Sequence, residues 1–371
     1  MTNSQPNYYL PHWIEPSDQR LKCDVCIYGG TAAGVIAAVT AARRGLSALI
    51  VNPSGHLGGM TTGGLGCTDF GQKHVIGGAS RQFYRDLGVF YGKPAGEEEW
   101  MFEPHAAQTV IDAYAKDAGV TVLSRHFLDA VESDGGAIRR IRLIGGKTVE
   151  ARVFLDATYE GDLLAKAGVT YTIGREPNRR YGETINGVQM RGKHQFSHDV
   201  DPYVVPRDPS SGTLPGIDEQ DAAPDGSGDH RLQAYNFRVC MTDDPALRVP
   251  WEKPEGYVEL DHELARRWFR GEKDTYNEPL PESKTVPKKF DVLTARTPAG
   301  FVKTDTNNMG AVSSDYIGAN YAWPEASYAA RERMFQAHVT YQKGFYWTIA
   351  NDPDIPTRYR EAFGRFGLAR D

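Results

Sequence analysis

Gly29, Gly30 and Gly34 follow the apolar run Asp24-Val25-Cys26-Ile27-Tyr28 and precede an alanine-rich stretch over residues 35–44. Glycines at such a crossover let backbone N–H groups at a helix N-terminus face a pyrophosphate. The spacing G-x-G-x-x-G starts at Gly29, but its middle position is Thr31, so the backbone approaches the phosphate past a side chain. Asn52 stands where a ribose-binding carboxylate is expected, about twenty residues on. As a neutral amide it should hold a ribose more weakly than a carboxylate would. The alternative for so short a fingerprint is a structural tight turn, and the full strand–turn–helix–strand setting favours dinucleotide binding. Ser54-Gly55-His56-Leu57-Gly58-Gly59-Met60-Thr61-Thr62-Gly63-Gly64-Leu65-Gly66 comes next. So many glycines imply backbone lying close against a flat ligand.

Other residues invite chemistry less strongly. Cys23 and Cys26 form a C-x-x-C, yet no second pair stands at zinc spacing, and a cysteine inside a buried strand behaves as a small hydrophobe. Cys67, after the glycine loop, reads as a packed small residue, and no metal site is expected. Arg175, Arg238 and His194 could meet an anionic or sugar-like substrate, although salt-bridging surface arginines are commoner. His105 beside a helix start reads as a capping residue. For Asp156 and Asp162, helix capping and a turn role stand beside a role at a cofactor.

The elements that must position these groups follow from periodicity. Residues 24–28 and 46–52 suit buried parallel strands, with a helix between them that Gly45 ends at C′. Pro11 and Pro16 keep residues 1–20 from forming a continuous helix, so that stretch is an arm. Helices are expected over 79–90 and 106–118; the second opens at Pro104 and buries Ala107, Val110, Ile111 and Tyr114. Short β runs over 120–123, 127–132, 138–144 and 148–155 are punctuated by Gly135-Gly136 and Gly145-Gly146, which suit hairpin turns. A short helix over 163–167 follows. Beyond residue 169 the pattern changes, with a long surface loop over 201–230. Strands are expected at 235–241 and 257–260, and helices at 264–268, 325–350 and 359–366.

Composition sets the outer limits. With 371 residues, 40% of them hydrophobic, two domains with sizeable cores are the natural expectation. A net charge of −6 gives no electrostatic footprint for nucleic acid. No apolar run approaches the ~20 residues of a membrane helix. The first 20 residues are not of secretory-signal type. Four cysteines do not make a disulfide framework, so a cytoplasmic setting is the default.

The turn Gly29-Gly30-Thr31-Ala32-Ala33-Gly34 and the loop from Ser54 to Gly66 resemble the two-dinucleotide-binding-domain flavoproteins. The closer resemblance is to the broad FAD-dependent oxidoreductase family with a GGTxAG turn and a SGHLGGxTxGGLG loop. The resemblance covers the chain from about residue 21 onward, apart from the 201–230 loop. It implies an α/β fold with a Rossmann-like FAD-binding domain over 21–168 carrying a β-meander insertion. A mainly antiparallel α+β substrate domain over 169–300 and a return segment with C-terminal helices over 301–371 follow.

The resemblance also distributes roles. It implies that Gly29, Gly30, Thr31, Ala32, Ala33, Gly34, Asn52, Pro53 and Ser54 serve the ADP half of FAD. Gly58, Gly59, Met60, Thr61, Gly63 and Gly64 fall toward the flavin. Leu128 and the segment Ala157, Thr158, Gly161 and Asp162 complete the cofactor set. His56 stands at a spacing like that of histidyl-flavin enzymes of the succinate dehydrogenase and fumarate reductase type. It is therefore either covalent or ring-contacting, or it hydrogen-bonds the FAD phosphate or ribitol. The polar strip 301–310, with Asp305, Asn307 and Asn308, is either a solvated loop or an orienting surface for substrate. Relatives continue past residue 371 with another glycine-containing turn, which this sequence lacks.

The activity implied is hydride transfer between flavin N5 and a small polar substrate, sugar-derived being one option. The alternatives are a truncated or non-catalytic flavoprotein fragment, or an NAD(P)-dependent dehydrogenase using the single βαβ site.

Overall fold

The computed structural model describes residues 6–66, 68, 71–192, 195–196, 198–271, 302–306 and 311–371. Asn307, Asn308, His194 and Cys67 lie outside the described residues. The chain divides into two compact units, Met1–Tyr171 and Thr172–Asp371.

The first unit is built on a six-stranded sheet. Its strands are β1 (Arg20–Tyr28), β2 (Ala48–Asn52), β3 (Thr121–Ser124), β4 (Leu128–Asp134), β5 (Ala137–Leu143) and β6 (Thr148–Asp156), in the order β3-β2-β1-β6-β5-β4. β3, β2, β1 and β6 run parallel, and β4–β5–β6 is the antiparallel meander. Gly135 and Gly136 both take positive φ (58° and 79°), as a two-residue hairpin turn requires.

Helices α1 (Ala32–Arg43), α2 (Gly78–Phe90) and α3 (Pro104–Asp117) share one core with the sheet, and α4 (Asp162–Lys166) follows β6. α1 buries Gly34, Val35, Ala38 and Val39, small enough for close approach to Val25, Ile27 and Ile50. It ends in a Schellman arrangement, with Gly45 at φ 82°, Gly45 N–H bonded to Ala42 O and Leu46 N–H to Ala41 O.

The register aligns the strand ends. Tyr28 pairs with Val51 and with Asp156, and Asn52 pairs with Ser124. Four carboxyl termini therefore share one edge, where open α/β sheets bind ligands. β1 starts earlier than its apolar run, because exposed Arg20 and Lys22 still pair with β6. The successive N–H groups of Asp24 and Val25 both bond the Ser47 carbonyl, and Cys23 and Cys26 join the same apolar cluster. Both are free and buried, and hydrogen bonding to Cys23 together with burial raises the Cys26 thiol well above its usual range.

The arm is folded onto this unit. Tyr8 and Tyr9 meet Phe127 edge-on, and Ser17 N–H bonds Gly145 O.

The second unit has a small antiparallel sheet, β7 (Met241–Thr242), β9 (Gly367–Ala369) and β8 (Arg248–Val249), with β9 in the middle. Helices α5 (Glu263–Arg270), α6 (Tyr328–Asn351) and α7 (Thr357–Gly364) carry its core around Trp268, Phe345, Ile349 and Phe363. Of the strand expected over 235–241, the end is formed, with Val239 bridging Thr306 and Met241 opening β7, while residues 235–238 are not paired as a strand. Gln342 takes both backbone groups of Phe237, accepting its N–H at 2.7 Å and donating to its carbonyl at 2.6 Å. A side-chain amide thus stands where a neighbouring strand would bond. Residues 259–262 form a 3-10 turn, not a strand. α6 begins at Tyr328, later than the expected residue 325, behind the N-cap Ser327, whose hydroxyl accepts the Ala330 N–H. Among the described residues no helix is long and apolar enough to cross a membrane.

Candidate functional site

The carboxyl edge of the first unit's sheet gathers most of the sequence-derived candidates. Gly29, at φ 109°, passes directly over the end of β6, where an added Cβ would lie 2.7 Å from the Ala157 carbonyl carbon. At Gly34 an added Cβ would lie 2.0 Å from the Gly29 oxygen. Thr31 caps α1: its hydroxyl accepts Gly34 N–H at 3.2 Å and donates to Ala157 O at 2.7 Å. The side chain at the middle position of the fingerprint is thereby engaged by the protein itself. The N–H groups of Ala32 and Ala33 open the helix and take no acceptor among the described residues. Two free donors at the positive end of a twelve-residue helix suit a diphosphate.

Asn52, only 3% exposed, makes three hydrogen bonds within the chain. Its Oδ1 accepts Gly30 N–H at 3.0 Å and Ser54 N–H at 3.3 Å, while Nδ2 donates to His56 O at 2.8 Å. The amide thus ties the glycine turn to the 54–58 loop. Gly58 N–H adds a bond to Gly30 O at 2.7 Å. A carboxylate could make the first two contacts but not the third, which gives the departure from an acidic residue a physical reason.

The glycines of the loop also have reasons within the chain. An added Cβ would lie 2.3 Å from Thr62 Cγ2 at Gly58, and 2.3 Å from Tyr159 Oη at Gly59. Tyr159 Oη accepts Met60 N–H at 2.8 Å, and Thr62 Oγ1 donates to Leu57 O at 2.6 Å. Met60 itself is exposed. Thr61 shares its short 3-10 turn, and Gly64 takes φ 124°.

His56 is exposed, with Nδ1 2.8 Å from Ser54 Oγ. Its Nε2 lies 3.7 Å from the Cβ position of Gly63. The ring is therefore anchored by one nitrogen, and the other faces the glycine loop.

After β6, Asp156 holds the next turn together. Its carboxylate accepts Thr158 N–H (3.0 Å), Thr158 Oγ1–H (2.6 Å) and Leu164 N–H (3.0 Å). That is the capping role weighed from sequence. Gly161, at φ 73°, precedes α4, whose first residue is Asp162. Leu128 is fully buried in the cluster with Cys26 and Tyr28, and its N–H bonds Tyr28 Oη at 3.2 Å. It is a core residue beside the edge. Pro53 continues the chain from β2 into the loop.

Asp305 belongs to the other unit. It is 2% exposed and ion-paired to Arg238 Nη2 at 2.6 Å. Arg175 pairs with Asp229, each also bonding the other's backbone. His105 lies in the first turn of α3 and accepts the Thr109 hydroxyl at its carbonyl.

Sequence reasoning assigned no role to Tyr159, Thr62, Trp13 or Arg125. Tyr159 reaches Met60 across 99 positions, and no local spacing could have marked it.

A family model described as FAD dependent oxidoreductase matches residues 24–370. Among solved structures, the chain is similar to L-proline dehydrogenase from P. horikoshii at 15% identity, over 43% of this chain and 59% of that one, with a TM-score of 0.33. It is similar to L-amino acid deaminase from Proteus vulgaris at 14% identity, over 44% and 54%, with a TM-score of 0.33. It is also similar to THI4 from Thermovibrio ammonificans at 19% identity, over 42% and 66%, with a TM-score of 0.31. The chain spans 54% to 66% of the length of those three structures.

Proposed function

The chain belongs to the FAD dependent oxidoreductase family, and from that premise we propose that the carboxyl edge of its six-stranded sheet holds FAD for the oxidation or reduction of a small polar substrate. The observation that carries this reading is the pair of unused N–H groups, Ala32 and Ala33, at the start of α1, framed by Gly29, Gly30 and Gly34. A diphosphate is the ligand whose charge and size use both donors and the helix dipole together. Asp156, at the neighbouring strand end, is committed to three protein hydrogen bonds.

Bound FAD supplies hydride exchange with a substrate carbon at flavin N5. The chain's own part is to bind, orient and move protons. Ala32 and Ala33 hold the diphosphate. Asn52 locks the loop that bears His56 to the turn that bears Gly30. Ser54 fixes the His56 ring through Nδ1, leaving Nε2 to hydrogen-bond the cofactor without a covalent bond. Gly58, Gly59, Met60, Thr61, Gly63 and Gly64 form the surface on the flavin side. Thr158, Gly161 and Asp162 close the adjacent strand end.

Anaerobic mixing of the FAD-loaded chain with a panel of sugars, hydroxy acids and amino acids tests the activity. Bleaching of the visible flavin band by one of those classes supports it. An FAD-loaded chain that none of them reduces, and whose chemically reduced form passes its electrons to none of the corresponding ketones, contradicts it.

A further inference from the structure

Arg125 follows the last residue of β3 and takes φ 57°, one of two non-glycine residues with positive φ among those described. Such a backbone costs roughly 1–2 kcal/mol for an ordinary side chain and clusters at functional sites. Here it is fixed from two directions, by Arg125 N–H bonding Ser54 O at 3.2 Å and by the next residue's N–H bonding Asn52 O at 3.1 Å. The side chain thus returns to the end of β2. Its Nε lies 3.3 Å from the Cβ position of Gly55, so any larger residue there would crowd it.

The guanidinium is exposed and has no carboxylate within ion-pairing distance among the described residues. It lies over the Trp13 ring, 4.6 Å from the ring centroid, and Trp13 closes the short 3-10 turn of the arm. One face of the planar cation is therefore covered and the group is held in place.

This position has a meaning in the site proposed above. With the diphosphate at α1, after β1, the ribose of a dinucleotide would fall at the end of β2, beside which β3 also ends. Asn52, at the end of β2, is held by its bonds to Gly30, Ser54 and His56. The guanidinium at the end of β3 stands beside it, exposed and bearing no ion pair among the described residues. We propose that Arg125, braced by Trp13, is a binding residue for the adenosine half of FAD. Its open face stacks on adenine, as a planar weakly hydrated cation does on an aromatic ring. This inference rests on the FAD reading of the site.

The test uses Arg125→Gly in the full chain, because glycine accepts φ 57° without strain while removing the cation. Dissociation constants for FAD and for FMN, which lacks the adenosine, are measured by flavin fluorescence, with the melting temperature of the FAD-free chain alongside. The expected result is an FAD affinity weakened about 10-fold, an FMN affinity within about twofold of wild type, and no fall in melting temperature. Trp13→Leu should weaken FAD in the same direction by less. Unchanged FAD binding in Arg125→Gly overturns the inference and leaves the site reading intact. Equal losses for FAD and FMN overturn it too, by assigning Arg125 to the loop and not to adenosine. A wild-type chain that binds no FAD overturns both.

Discussion

Asn52 Nδ2 donates to the main-chain oxygen of His56 at 2.8 Å while its Oδ1 accepts the Gly30 N–H at 3.0 Å. One buried amide thereby couples the phosphate-facing turn to the loop that bears the candidate histidine. Asn52→Asp keeps the acceptor, loses the donor and sets a carboxylate against a carbonyl. The cost expected is about 1–3 kcal/mol, read as a lower denaturation midpoint and weaker FAD binding. Wild-type values for both would show that the coupling contributes nothing.

Gly34 and Gly45 separate two reasons for glycine. At Gly34 an added Cβ meets the Gly29 backbone oxygen at 2.0 Å, with the Ala157 Cβ at 3.2 Å beside it. Gly45 has φ 82° with nothing within 4 Å of its Cβ position. Gly45→Ala should therefore cost about 1–2 kcal/mol of left-handed strain. Gly34→Ala should cost about 3 kcal/mol or more and abolish FAD binding. Equal melting temperatures for the two variants would contradict the packing argument.

His262, 2% exposed, lies between Tyr257 (ring centroids 4.9 Å apart) and Tyr341 (5.4 Å), with no partner for Nδ1 among the described residues. Burial chiefly, and the Arg266 charge secondarily, push its pKa down to about 4, with Asp352 opposing. The folded state therefore holds the neutral ring while the unfolded state protonates near pH 6.5. Stability should be full above that pH and fall as pH drops toward about 4, by on the order of 3 kcal/mol. Urea unfolding across this range should show the slope, and His262→Gln should flatten it. An unchanged slope in the variant would assign the titration elsewhere.

The His56 ring is held through Nδ1 by Ser54, and the reading above makes its contact with the cofactor non-covalent. Acid precipitation of the FAD-loaded chain should leave the flavin in the supernatant. A yellow pellet that turns white in His56→Ala would establish a histidyl-flavin instead.

How much of this was legible in the sequence depended on how local the cause was. The βαβ unit was readable because β1 and β2 are buried on both faces and Gly45 marks the helix end. The meander was readable from its glycine pairs, which need positive φ wherever they sit. The strand expected over 235–241 formed only toward its end, at Val239 and Met241, because Gln342, 105 positions away, takes the Phe237 backbone bonds. At the site, the turn and loop announced themselves by composition. The ties between them did not: the three contacts of Asn52 within the chain have no signature in its spacing. Arg125, Trp13 and Tyr159 reach the edge only through the folding of distant segments.

The most direct test of the central claim is titration of the purified chain with FAD, followed by flavin fluorescence and visible absorption, in wild type and in Gly30→Val. An added Cβ at Gly30 would lie 2.7 Å from Asn52 Cγ and 2.8 Å from Leu57, so valine displaces the turn from its loop. Saturable binding by the wild type, lost in a Gly30→Val chain that still melts cooperatively, is the predicted result. A wild type that stays colourless with FAD, or a folded variant that binds it equally, would contradict the placement of the cofactor at this edge.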